Sequence, residues 1–448
     1  IIKYTQNKIL LPEYDVFEER RHYLPGNENS LKVIDFKGLK IGFTICEDAW
    51  VDEEITGPRG YETDAVSVLC NKGADLIINI AASPYSRNKI SLRQRLFQKL
   101  SQKHNIVFIY VNQAGANDDL IFDGSSAVYK NGRLLLQAES FKEDLLFYDT
   151  EKTYNFTASS GQNRMHEVRS ALVLGIRDYA GKTGFTRAAV GVSGGIDSAV
   201  VLTLAAEALG PENILALAMP SEYSSPESLS DAQELCRNLS VKCTELPIHS
   251  VFTGIKSSLA GIFSGLSEDI TEENIQARIR GLFLMAVSNK FRALLLTTGN
   301  KSEIGVGYCT LYGDTCGALA VIADLYKTEV YELAALLNRG SAVIPQNIIC
   351  RAPSAELRTG QKDQDTLPPY DLLDRIIKKY YEEYKSPQQI IAETGCSENL
   401  VIDIIKKLDQ AEYKRYQLAP GLRISEKAFG SGRKFPVVKK LSYRSINV

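Results

Sequence analysis

The chain has 448 residues, 44% of them hydrophobic, and a formal net charge of −2. That length exceeds one ordinary core and predicts two or three domains, while the near balance of charge gives no whole-chain case for binding nucleic acid or a membrane surface. Eight scattered cysteines with no CxxC pair argue against a zinc site and a disulfide framework. No apolar run reaches membrane-spanning length and no secretory signal opens the chain, so a reducing cytoplasm is the expected setting.

The first residues, Ile1-Ile2-Lys3-Tyr4, read as the middle of a strand, so the chain is expected to begin inside a domain. Residues 39–45 alternate and read as a strand that delivers Cys46 at its carboxyl end, beside Glu47 and Asp48. A second strand over 75–81 ends at Ser83-Pro84-Tyr85. A helix over 91–104 carries Leu92, Leu96 and Leu100, and a third strand covers 106–111. Residues 117–125 read as a polar turn, and 126–137 and 143–149 as strands. The first domain is therefore expected to be mixed α/β, with strands feeding loops at one edge. A cysteine at such an edge becomes a nucleophile only if a cation lowers its pKa and a base takes its proton. Lys8, just before the apolar stretch broken by Pro12, is the candidate cation.

The stretches KILLPEYDVFEERR, CEDAW, ASPYSRNK and DLIFDGSS resemble the nitrilase superfamily, and within it the glutaminase domain of glutamine-dependent NAD+ synthetases. The resemblance implies an α-β-β-α sandwich, here N-terminally truncated, over residues 1–150. It implies that Cys46 attacks the amide of L-glutamine and that Lys8 stabilises the oxyanion and relays protons. Tyr14, Ser83 and Lys89 fall at glutamine-contact positions. The third triad member of that family is a glutamate upstream of the lysine. No acid precedes Lys8 here, so this glutamate is expected to precede Ile1. The chain as it stands is expected to show at most ammonia-dependent activity.

Residues 151–166 are polar and lose periodicity, and read as a linker. An amphipathic helix over 167–182 then leads into Ala188-Ala189-Val190-Gly191-Val192-Ser193-Gly194-Gly195-Ile196-Asp197-Ser198-Ala199. This reads as a strand, a tight small-residue loop and an amphipathic helix over 199–209. Small residues let an anion approach the backbone, and the helix N-terminus favours phosphate. Asp197 would repel phosphate unless it holds Mg2+. Strands over 214–219, 241–246 and 293–298 alternate with a helix over 227–239, which predicts a doubly wound parallel sheet with ligands at the strands' carboxyl ends. Thr298, Glu303 and Lys327 follow the last of these strands. Residues 371–384 and 387–410 read as amphipathic helices whose aliphatic stripes form core. The tail from Ala411 holds nine Lys or Arg against two Glu, with no aromatic stacking pattern, and reads as solvated apart from Lys414.

The loop lacks the GxxxxGK[ST] pattern. SGGIDS resembles the PP-loop of ATP pyrophosphatases, and AMPSEYSS, ENIQARIRG, LLTTGNKSEIGVGYCTLYGD, APSAELR, DQDTLPPYDLLD and EYKRYQLAPG resemble NAD+ synthetases among them. The resemblance implies an adenine nucleotide alpha-hydrolase-like domain over 167–448 with a helical C-terminal extension. It places Gly191, Val192, Ser193, Gly194, Gly195, Ile196, Asp197 and Ser198 on the ATP phosphates. Thr298, Lys327 and Ser354 also contact ATP, Asp197 and Glu303 hold Mg2+, and Asn274, Arg278, Glu303 and Lys414 contact deamido-NAD+. Ala318 stands where ammonia-dependent relatives carry an acid.

The activity so implied is ATP-dependent amidation of deamido-NAD+, with ammonia taken from L-glutamine and passed internally, through an adenylated intermediate. Substrates would be small molecules, without nucleic acid or membrane, and a homo-oligomer is expected. Two other readings are another PP-loop amidotransferase, such as GMP synthetase with its Cys-His-Glu glutaminase, and a non-catalytic nucleotide-binding protein.

Overall fold

The computed structural model describes residues 2, 4–155, 164–430 and 432–438. It divides into two compact units, Ile1–Ala171 and Leu172–Val448.

The first unit is built on a six-stranded mixed sheet. Its strands are β1 (Val33–Phe36), β2 (Leu39–Ile45), β3 (Leu76–Ala81), β4 (Val107–Asn112), β7 (Ala127–Lys130) and β8 (Arg133–Gln137), in the order β1-β2-β3-β4-β7-β8. β2, β3 and β4 are parallel; the outer pairings are antiparallel. Helices α1 (Ala65–Asn71) and α2 (Lys89–Lys103) cover one face. Leu69, Leu96, Phe97 and Leu100 pack there on Ile77, Phe108 and Tyr110, with the Phe97 and Phe108 rings stacked 4.9 Å apart. Parallel pairing of β2 and β3 brings Ile45 opposite Ile80, so the chain segments after both strands emerge at one edge.

Three local expectations are corrected. Residues 117–125 are not a plain turn. β5 (Ala114–Asn117) and β6 (Leu120–Asp123) form a two-stranded hairpin whose short strands, AGAN and LIFD, carry too little alternation to be read. Residues 143–149 pair with no strand; Asp144 instead holds the backbone of Glu139 and Leu145. Of the residues 1–4 read as a strand, Ile2 and Tyr4 belong to none, and Ile1 and Lys3 lie outside the described residues; farther along, Asp48 takes the N–H groups of Ile9 and Leu10. The predicted linker lies partly outside them too, and its end, 164–166, already belongs to helix α3 (Arg164–Lys182).

The second unit holds a five-stranded, wholly parallel sheet: β9 (Arg187–Val192), β10 (Ile214–Ala218), β11 (Cys243–Glu245), β12 (Ala293–Thr297) and β13 (Leu319–Ala320), ordered β11-β10-β9-β12-β13. The order reverses at β9, and ligands of such sheets bind at that switch, beyond the strands' carboxyl ends. Helix α4 (Ile196–Leu209) was expected to be amphipathic. It is buried on nearly all sides, wedged between the sheet and α9 (Lys327–Leu337). The other helices used below are α5 (Pro226–Asn238), α6 (His249–Leu259), α7 (Ile270–Phe291), α8 (Lys301–Val306), α10 (Tyr370–Ile377), α11 (Pro387–Thr394) and α12 (Glu398–Gln410). The expected strand over 241–246 shrinks to three residues. The expected helix over 387–410 divides at Gly395, whose φ of 69° caps α11. The aliphatic stripes of α10 to α12 meet as a core of Leu373, Ile377, Ile390, Val401, Ile404 and Leu408. No helix among the described residues is long and apolar enough to cross a membrane.

Candidate active sites

Cys46 sits where β2 ends and a 3-10 turn, Cys46–Ala49, begins. Its φ of +46° is a strained left-handed conformation for a residue with a Cβ, of the kind that clusters at functional sites. Buried Asp48 explains how Lys8 comes beside it. One carboxylate oxygen accepts from the N–H groups of Ile9 (3.0 Å) and Leu10 (2.8 Å), the other from Ile45 N–H (3.0 Å). A single side chain thus ties the lysine segment to the nucleophile's strand. Burial pushes the Cys46 thiol above its ordinary value; Lys8 and Lys89 pull it back, while Glu47 and Glu19 push it up.

Lys8 Nζ donates to both oxygens of Glu19, at 2.7 and 2.6 Å, with both side chains partly shielded. Glu19 was not chosen from sequence, since its spacing of eleven residues across an irregular loop follows no period. Tyr14 Oη donates to the buried Glu47 carboxylate at 3.0 and 2.9 Å, and Tyr61 Oη donates to it at 2.9 Å. The Arg59 guanidinium, 2.6 Å from Glu47, lies over the rings of Tyr14 and Trp50. Lys89, at the start of α2, lies 5.8 Å from the Trp50 ring centre. Ser83 is buried just beyond β3, its N–H donating to Asn112 Oδ1 at 2.9 Å. Cys46, Lys8, Tyr14, Ser83 and Lys89 therefore gather at one sheet edge. Glu19, Glu47 and Arg59 join them unpredicted.

In the second unit, the loop 193–195 follows β9 and turns into α4. Gly194 has φ +76°, and a Cβ there would lie 2.3 Å from the Ser228 carbonyl oxygen, so only glycine fits. Ser198 Oγ donates to Gly195 O (2.9 Å) and accepts from Ser193 N–H (3.3 Å), which holds the loop closed on the helix start. The loop forms one wall of a cavity of about 300 Å3 at the carboxyl edge of the sheet. All of residues 191–198 line it, and so do Thr298, Glu303, Lys327 and Ser354.

The charged centre of this cavity is a three-residue contact. Buried Lys327 Nζ donates to Asp197 Oδ2 at 2.5 Å and to Glu303 Oε1 at 2.9 Å. Burial opposes the lysine charge, but the two carboxylates outweigh it and hold its pKa above the ordinary value. Burial pushes the Glu303 carboxyl above its ordinary value, against the pull of Lys327. The two carboxylates are thus aimed at one cationic point and present hard oxygen donors, the donor set that suits Mg2+. Among the described residues no cluster of three or more metal-ligating side chains occurs, so further ligands would come from substrate or water.

Asn274, Arg278 and Lys414 surround the neighbouring segment 307–311. Thr310 Oγ1 donates to Asn274 Oδ1 (2.8 Å), Arg278 Nε to Leu311 O (3.3 Å), and Lys414 Nζ to Gly307 O (2.8 Å) and Cys309 O (2.6 Å). Arg280 was missed. It lines the cavity, gives Nε–H to Met219 O at 3.0 Å, and burial lowers its pKa to about 10.

Two family models match this sequence: carbon-nitrogen hydrolase over residues 1–154 and NAD synthase over residues 168–418. A glutamine-dependent NAD(+) synthetase of Synechocystis sp. is 45% identical over 98% of this chain and 79% of its own length. One from Thermotoga maritima is 40% identical over 97% and 80%. The solved glutamine-dependent NAD+ synthetase of Acinetobacter baumannii, in complex with ADP, is 39% identical, with a TM-score of 0.72 over 96% of this chain and 78% of that one.

Proposed function

The chain belongs to the glutamine-dependent NAD+ synthetases, and we propose that its two units divide the reaction between the residues gathered above. The enzyme amidates deamido-NAD+ to NAD+ at the cost of ATP, with L-glutamine as nitrogen donor.

In the first unit, the Cys46 sulfur adds to the glutamine amide carbon, and its thiol proton replaces the one that Lys8 gives up. Lys8 stands beside the developing oxyanion and passes a proton to the departing nitrogen; Glu19 keeps that ammonium oriented. Ammonia leaves, and water cleaves the thioester to glutamate. Tyr14, Ser83 and Lys89 hold the amino-acid end, with the Glu47–Arg59 pair behind Tyr14.

In the second unit, the deamido-NAD+ carboxylate attacks the α phosphorus of ATP, and the α–β bridging bond breaks. Residues 191–198 cradle the pyrophosphate with backbone N–H groups, and Thr298 and Ser354 hold the rest of the nucleotide. Lys327 neutralises charge at the phosphates. Ammonia then displaces AMP from the acyl carbon. Asp197 and Glu303 would hold Mg2+, which supplies further neutralisation of phosphate charge when bound. Asn274, Arg278 and Lys414 would meet deamido-NAD+ along the 307–311 segment. The observation that carries this assignment is the convergence of Asp197, Glu303 and Lys327 on one point against the glycine loop. The expected homo-oligomer is carried here on the family resemblance alone. A cytoplasmic setting suits the eight free cysteines.

Replacement of Cys46 by Ala, in a chain that includes the triad glutamate, tests the division. Ammonium-driven synthesis is expected to persist while glutamine-driven synthesis disappears. Loss of both together would contradict it.

A further inference from the structure

Long charged side chains do not share one point unless something fixes them. α8 is entered through Asn300, Lys301 and Ser302, three consecutive polar residues with no exposed surface, a rare state for such groups unless each is partnered. Each binds a different element. Lys301 Nζ is held by Asp324 (2.8 Å), Glu382 (2.6 Å) and Ser425 Oγ (3.0 Å). Ser302 Oγ donates to Asp374 and accepts from the backbone N–H of Lys327 at 2.8 Å. Asn300 reaches the carboxylates themselves. Its Oδ1 accepts from Glu303 N–H at 3.0 Å, capping α8, and its Nδ2 donates to Asp197 Oδ1 at 2.9 Å.

The orientation of that amide is forced. A backbone N–H can only donate and a carboxylate can only accept, so the oxygen must face Glu303 and the nitrogen Asp197. One buried side chain therefore fixes the oxygen of Asp197 not used by Lys327 and the helical turn that carries Glu303. A cap alone would need only the oxygen half of the amide.

We propose that Asn300 is the positioning residue of the synthetase site, its amide setting the Asp197 and Glu303 carboxylates toward their common point. The proposal rests on the reading of the second unit given above.

Asn300→Asp keeps the capping oxygen and turns the donor facing Asp197 into a repelling acceptor; Asn300→Ser keeps a cap and cannot span to Asp197. Both are made in the full chain, assayed with ammonium, and followed by thermal melting with and without ATP. The serine variant is expected to melt within about 3 °C of the parent, whereas the aspartate variant, which buries a second carboxylate beside Asp197, is expected to melt lower, so kcat is compared below both transitions. The kcat for NAD+ formation should fall by about tenfold or more in both, the scale of a sub-ångström misplacement, with KM for ATP moved less than about threefold. A kcat within about twofold of the parent in the aspartate variant would reduce Asn300 to a cap and overturn the proposal. So would an unchanged kcat with a large rise in KM, the mark of a ligand contact. Lys327→Ala separates this from the site reading: full activity there overturns both, whereas loss there with active Asn300 variants overturns only the role of Asn300.

Discussion

Cys46 and Lys8 show how much chemistry single residues disclose before folding. A cysteine at the end of an alternating apolar run, and a lysine before a proline-broken stretch, are visible in one dimension. What makes them a pair is not. Asp48, a side chain with no sequence pattern of its own, ties Ile9, Leu10 and Ile45 together and so brings the two segments into register. Glu19 is equally hidden, since it meets Lys8 through an irregular loop. Its role can be tested directly in a chain that includes the triad glutamate. Glu19→Gln keeps the shape and removes the charge that orients Lys8. Glutamine hydrolysis is expected to fall on the order of 10²-fold, the usual worth of a positioned proton-transfer group, with ammonium-driven synthesis unchanged. An unaltered glutaminase rate would make the contact an ordinary partly exposed ion pair.

At the scale of elements, the strands carrying the sites were legible because their apolar runs are long enough to show a period: β2, β3, β4, β9, β10 and β12 fall where alternation or unbroken apolar character predicts them. The β5–β6 hairpin escaped notice because four-residue strands show too few alternations, and the α11–α12 break because one glycine interrupts an otherwise continuous stripe. The packing of α10 against α8 and α9 is likewise invisible in sequence. It turns on Asp374, whose carboxylate accepts from Ser302 Oγ and, at 3.0 Å, from Thr328 N–H. Burial pushes this carboxyl up to about 6, against the hydrogen bonds that favour its charge. A folded-state pKa above the unfolded one means stability is fully present below about pH 4 and is lost as pH rises through about 6, on the order of 3 kcal/mol in all. Asp374→Asn cannot titrate. Its melting midpoint relative to the parent should therefore improve by several degrees between pH 4 and pH 7.5, whatever fixed cost the lost hydrogen bond adds. A difference independent of pH would show that Asp374 does not ionise with this penalty.

For the whole molecule, the sequence motifs already pointed to a glutaminase and a PP-loop synthetase in one chain, and the two family models cover those two halves. The structure adds the contacts that the odd aspartate of the second half makes. Asp197 is not an intruder in a phosphate cradle. It is one of two carboxylates gathered around Lys327 beside the glycine loop, an arrangement suited to an adenylating reaction. The most direct measurement is the nucleotide balance of the full chain supplied with ATP, deamido-NAD+, Mg2+ and ammonium. Each NAD+ formed should be accompanied by one AMP and one pyrophosphate, with no ADP. Formation of ADP and orthophosphate, or of NAD+ without cleavage of ATP, would contradict the account.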